Sequence, residues 1–125
     1  MSIVTGVLID TVNRKASIHT VNSDTLQAYY DILNCNTFDI ATRKIGKKYY
    51  DIFCDDEGLY QSNPVVSALS ANGEPMLVGN LFVTRTDSNG ETISLSLGEI
   101  REVMEHTIHL TNDKNETWIA VVCDY

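Results

Sequence analysis

Strand-like runs in this chain are separated by links of only a few residues, and that spacing limits how the strands can pair. Ile3 to Asp10 and Lys15 to Val21 read as two strands, with Val12-Asn13-Arg14 turning the chain between them. Thr37 to Thr42 and Lys48 to Cys54 are rich in β-branched and aromatic residues, with Ile45-Gly46 at the reversal. His106 to Thr111 and Thr117 to Cys123 form a closing hairpin over an Asn-Asp-Lys-Asn turn. A parallel crossover needs about a dozen residues or more, so links this short favour antiparallel neighbours.

Pro75 to Thr86 is the longest single strand candidate, ended by a turn at Asp87-Ser88-Asn89-Gly90. Asp55-Asp56-Glu57-Gly58 reads as a turn, and residues 61–75 as a loop around one strand or short turn. Two short helices complete the pattern. Ser23 is placed to cap the first, through Leu33, where Leu26, Tyr29, Tyr30 and Leu33 fall at helical spacing. Ser96-Leu97-Gly98-Glu99 is a capping box that opens the second, through about Glu105, burying Leu97, Ile100 and Val103 or Met104. The expected fold is α+β: a single domain over residues 1–125 with an antiparallel sheet and two short helices.

With 125 residues, 43% of them hydrophobic, the chain is long enough for one core without disulfides or metal. Cys35, Cys54 and Cys123 are an odd number and include no CxxC pair, which fits reduced thiols in a cytoplasmic protein. The stretch MSIVTGVLID lacks a basic n-region and meets Asp10 too early for a signal peptide. No apolar run approaches the roughly 20 residues of a membrane span. A net charge of −8 argues against nucleic-acid binding, which requires positive potential to displace counterions.

Catalytic signatures such as GxSxG and HExxH do not occur, and His19, His106 and His109 complete no zinc pattern. The acids at Asp51, Asp55, Asp56 and Glu57 are packed too closely for a calcium loop. No catalytic residue, metal site or cofactor is therefore assigned. The clearest lead is a basic corner: Arg43, Lys44, Lys47 and Lys48 are four of the nine basic residues, and Tyr49, Tyr50 and Phe53 follow them. Lysines at a hairpin end can simply keep an edge soluble. Arginine can also grip a phosphate with its planar fork while a tyrosine face stacks a base. In Met76 to Val83, strand alternation would put Asn80 between Val78 and Phe82 on an apolar face. That amide either satisfies a loop backbone or reads the edge of a ligand against Phe82, with Gly79 permitting close approach.

The succession "RKIGKKYYDIFCDDEGL", "NPVVSAL", "GEPMLVGNLFVT", "DSNGETISLS" and terminal "CDY" resembles an uncharacterised domain family of phages and mobile elements of Gram-positive bacteria. The resemblance runs from about Leu33 through Ser96 with the tail added. It brings no assigned activity, but its setting implies counter-defence. The leading expectation is a non-enzymatic protein that sequesters a nucleotide-derived immune signal, a cyclic ADP-ribose isomer, an ADP-ribose derivative or a cyclic dinucleotide. Arg43, Lys44 and Lys47 would hold phosphate, Tyr49, Tyr50 or Phe82 would stack, and Asn80 would read an edge. A dimer or higher homo-oligomer would build the pocket, since ligand sites commonly lie between packed units. The alternatives are an acidic protein that blocks a host protein, by DNA mimicry or otherwise, and a small hydrolase of the same signals.

Overall fold

Side-chain alternation sorts the first hairpin into two faces. The structure, a computed structural model, describes residues 3–57 and 65–125. β1 (Ile3–Asp10) and β2 (Lys15–Asn22) pair along their whole length, from Ile3 opposite Asn22 to Asp10 opposite Lys15. Val4 and Leu8 point one way and Val7 and Ile9 the other, each set into its own cluster of buried side chains. β1 is therefore covered on both faces.

The larger sheet runs β2-β1-β7-β4-β3, where β3 is Phe38–Ile45, β4 is Lys48–Asp55 and β7 is Leu81–Thr86. The two-residue strand β8 (Thr92–Ile93) pairs with the end of β7. The smaller sheet runs β6-β5-β10-β9, formed by Pro75–Val78, Val66–Leu69, Thr117–Val122 and Thr107–Thr111. Helix α1 (Gln27–Leu33) covers one face of the larger sheet, where Tyr29 and Leu33 pack on Val4, Leu8, Phe53 and Phe82. The smaller sheet and helix α2 (Leu97–Glu105) share the other cluster, in which Ala68, Ile119 and Val121 join Ile100 and Val103. The α+β class and the two helices hold. One antiparallel sheet becomes two, and β5 pairs with β10 in parallel.

The single strand expected over Pro75 to Thr86 is broken in the middle. Gly79 has φ +77°, a left-handed conformation that a strand interior does not use and that glycine adopts without steric penalty. The break sends β6 into the smaller sheet and β7 into the centre of the larger one. Met76 and Val78 therefore do not share a strand face with Asn80 and Phe82. Gly6 is needed for a different reason: a Cβ there would lie 2.2 Å from the carbonyl oxygen of Val83. At that point β1 parts from β7, and Thr5 instead accepts from the N–H of Leu95 beyond β8.

The helices differ from expectation at one end each. α1 starts at Gln27, with Leu26 as N-cap and no side-chain cap bond, so Ser23 does not cap it. Asn22 instead closes a local turn by accepting from the N–H of Asp24 at 2.9 Å. α2 carries the full capping box: the Ser96 hydroxyl accepts from the Glu99 N–H, and the Glu99 carboxylate accepts from the Ser96 N–H. Leu97, expected inside, is 83% exposed, and Glu99 is buried in its stead. The turn at residues 55–58 and the loop at 61–75 lie partly outside the described residues; within the latter, Val66–Leu69 forms β5.

Asn80, just after the break, holds three segments together. Its Oδ1 accepts from the N–H and the hydroxyl of Thr11 at 2.8 and 2.9 Å, and its Nδ2 donates to the carbonyl of Ile32 at 3.1 Å. Asn80→Ala leaves these part-buried groups without their amide and is expected to cost about 1–3 kcal/mol. Urea unfolding measures this; an unchanged midpoint would show that water replaces the amide freely.

Candidate functional site

The hairpin of β3 and β4 carries the basic corner, and strand geometry divides it. Arg43 lies opposite Tyr50, Lys44 opposite Tyr49, and Ile45 opposite Lys48. Opposed residues share a face and successive ones do not. Arg43, Lys48 and Tyr50 therefore face α2 and the smaller sheet, while Lys44 and Tyr49 lie on the α1 side. Lys47 sits exposed in the turn.

On the first of these faces the residues are engaged. Tyr50 is 1% exposed and donates its hydroxyl to Glu102 at 2.7 Å. Burial first, and that bond second, push its phenol well above the ordinary range. The same bond is the main reason the Glu102 carboxyl is lowered. Lys48 reaches Glu99 at 3.4 Å, and Arg85 from β7 reaches it at 2.5 Å. Burial alone would raise the Glu99 carboxyl, but the Ser96 N–H, Arg85 and Lys48 together hold it below its usual value.

Arg43 turns to the chain's last residues. Its guanidinium carbon lies 4.8 Å from the centre of the Tyr125 ring, a cation–π contact, and its Nη1 donates to the Thr42 carbonyl at 2.9 Å. Lys44 and Asp124 exchange both backbone hydrogen bonds, at 2.7 and 2.8 Å. The tail that follows β10 thus crosses from the smaller sheet to the edge of the larger one. Asn80 and Phe82 lie elsewhere, in the core: Asn80 is held by the three hydrogen bonds described, and Phe82 is wholly buried against Tyr29 and Phe53. The structure does not bring them to the basic corner. Lys44, Lys47 and Tyr49 are what remains exposed of the seven residues singled out in the sequence.

None of residues 43–50 lines the clefts of about 700, 520, 310 or 220 Å³. The first of these runs between the start of α1 and β8. Its floor is Tyr29, Phe38 and Phe53, with Tyr29 and Phe53 stacked at 4.4 Å and 8°. Ile3, Leu26 and Ile40 stand at its margin, 57, 61 and 47% exposed. Among the described residues its charged lining is Asp24 and Glu91, with no lysine or arginine. Sequence reasoning misses this groove because helical spacing places Leu26 within a longer helix, whereas α1 starts at Gln27. The signal available was Ile40 and Phe38 on a strand next to a helix of only seven residues.

The thiols offer little nucleophilic chemistry. Burial raises Cys35, Cys54 and Cys123 to about 11 each, so all three are protonated near neutral pH. Among the described residues no three His, Cys, Asp or Glu side chains are grouped to hold a metal, and no helix is long and apolar enough to cross a membrane.

Two sheets, two buried clusters, an aromatic-floored groove and an internally engaged basic hairpin make up a small α+β domain. The chain belongs to a family described as a domain of unknown function, DUF3846, which it matches over residues 4–108. The match takes in the first hairpin and α2 as well as the central segment from Leu33 to Ser96. No curated protein and no solved structure matches the chain.

The buried Glu99 makes acid sensitivity a direct test of this arrangement. Its pKa in the folded chain lies below the ordinary 4.5, so the unfolded chain takes up the proton first as pH falls. Stability is then present above that value and lost as pH falls through the folded-state pKa. Urea unfolding across acidic pH should show a shallower loss for Glu99→Gln than for the parent, from a lower starting point. Parallel profiles would remove Glu99 as the acid-sensitive group.

Proposed function

We propose that this chain is a non-enzymatic binding protein that acts on a partner protein, with the groove between α1 and β8 as its contact surface. The observation that carries this reading is the groove's lining: an aromatic floor, exposed aliphatic margins and only acidic charges. The occupant that fits is a basic amphipathic segment, whose apolar side chains would cover Ile3, Leu26 and Ile40 while lysine or arginine meets Glu91. Raised thiol pKa values and a Glu99 carboxylate engaged by Arg85 and Lys48 support binding over catalysis. In the setting suggested by the sequence resemblance, the partner would be a host defence component.

The second reading is sequestration of a nucleotide-derived signal. What supports it is the exposed set of Lys44, Lys47 and Tyr49 at one end of the larger sheet. It has become the lesser reading because Tyr50, Asn80 and Phe82 are buried and Arg43 is stacked on Tyr125.

Calorimetry with a synthetic leucine–lysine amphipathic peptide separates the two. The peptide should bind, and Glu91→Lys or Ile40→Asp should weaken it by about tenfold, the effect of losing roughly 1.4 kcal/mol. Asp56→Lys, which changes the net charge equally but lies outside the groove, should have little effect. If the peptide does not bind, and a cyclic dinucleotide or ADP-ribose does so in a manner abolished by Lys44→Ala or Lys47→Ala, the second reading replaces the first.

A further inference from the structure

The outer edges of the two sheets are not protected alike. β3 is bridged on its outer side by Asp124. β6 begins on Pro75 and its pairing with β5 is interrupted by register shifts. β2 begins on Lys15. A covering segment, a proline, a bulge and a lysine are each devices that discourage strand addition. β9, Thr107–Thr111, has none of these: no lysine, no proline, and an unbroken register with β10.

The hydrogen bonds at its two ends show which backbone groups point outward. The Val122 N–H donates to the His106 carbonyl at 2.8 Å, and the Asn112 N–H donates to the Glu116 carbonyl at 3.0 Å. His106 and Asn112 therefore face the β10 side. In an antiparallel ladder bonding alternates along the strand, so Ile108 and Leu110 bond toward β10 as well. Thr107, His109 and Thr111 direct their N–H and C=O groups to the outer edge, where no described strand lies.

The residue order along this edge, Thr-Ile-His-Leu-Thr, reads nearly the same in both directions. We propose that β9 is a dimerisation edge that adds a second copy of this chain in antiparallel register about a twofold axis through His109. Thr107 then pairs with Thr111 of the partner subunit, and His109 with its own counterpart. Each of these pairs exchanges two backbone hydrogen bonds, and the symmetric partner of the first makes a third such pair. Ile108 and Leu110 meet across the axis on the face that carries Trp118 and Ala120, their partners on β10. That arrangement extends one apolar strip through both copies. Charge favours the same place. Two chains of net charge −8 repel at long range, and a strand without an acidic residue lets them approach with the least cost.

Sedimentation equilibrium on the full chain tests the proposal. A dimer is expected at micromolar concentration. His109→Pro removes an N–H that points outward and none that bonds to β10, which an edge strand tolerates. It should weaken the dimer by about tenfold or more while circular dichroism and the unfolding midpoint are retained. Ile108→Lys, at a position already 36% exposed, should do the same by placing like charges near the axis. A monomeric parent chain overturns the proposal. So does a dimer that survives both substitutions and dissociates with Ile18→Lys on β2 instead.

Discussion

The side-chain amide of Asn80 stands where the chain passes from one sheet to the other, and the layout of the molecule depends on that passage. Gly79 supplies the bend, but a glycine fixes nothing by itself. Asn80 follows it and ties the new strand to the turn after β1 and to the end of α1. β7 is then held in register between β1 and β4, where Leu81, Phe82 and Val83 are all wholly buried. An apolar residue at position 80 would pack there but would leave the Thr11 N–H and the Ile32 carbonyl to find other partners. A mispaired polar group costs as much as several buried methylenes contribute, which makes the amide decisive at this point.

The second organising contact is the charge at Glu99. A carboxylate only 3% exposed is unfavourable unless its oxygens are matched, and here a capping N–H, Arg85 and Lys48 match them. The three come from α2, β7 and β4, so one buried charge positions the helix over the end of the sheet. This also answers why an acidic chain gathers positive charge beside aromatic residues. Lys48 meets Glu99, Arg43 holds Tyr125, and Tyr50 anchors Glu102. Much of the corner closes the fold, while Lys44, Lys47, Lys48 and Tyr49 all keep exposed surface.

Local signals were legible in the sequence. The first hairpin, the capping box at Ser96 and the closing hairpin are set by neighbouring residues, and they stand within a residue or two of where the pattern puts them. The break at Gly79 was not legible, because an apolar run with one glycine reads equally well as a strand with a tight approach. The partition into two sheets was hidden for the same reason, as was the parallel pairing of β5 with β10, which joins residues about fifty positions apart. Of the candidate site, the corner's composition was visible but its face division was not exploited: Arg43 and Lys44 are adjacent in sequence and so point to opposite sides. The groove beside α1 depends on where a helix starts, and that rested on Asn22 taking the turn that Ser23 was expected to cap.

The chain's acidity looks different once its turns are traced. Asp10 accepts from the N–H groups of Val12 and Asn13, Asp55 from Glu57, and Asp87 from Asn89 and Glu91. Asp51 joins three strands by accepting from the hydroxyls of Thr42 and Thr86 on either side. At Asp10, Asp55 and Asp87 the carboxylates satisfy backbone donors at the reversals a sheet-rich chain must make. A surplus of aspartate therefore follows in part from the number of turns, and it is weak evidence for imitation of a nucleic acid. What turn chemistry does not account for is the pairing of acidic charge with exposed aliphatic side chains along one groove. Neither solubility nor folding requires Ile3, Leu26 and Ile40 to stand together beside Glu91. Isolated exposed apolar side chains are ordinary on any surface, whereas a set gathered around an aromatic floor is the feature on which the proposed contact rests.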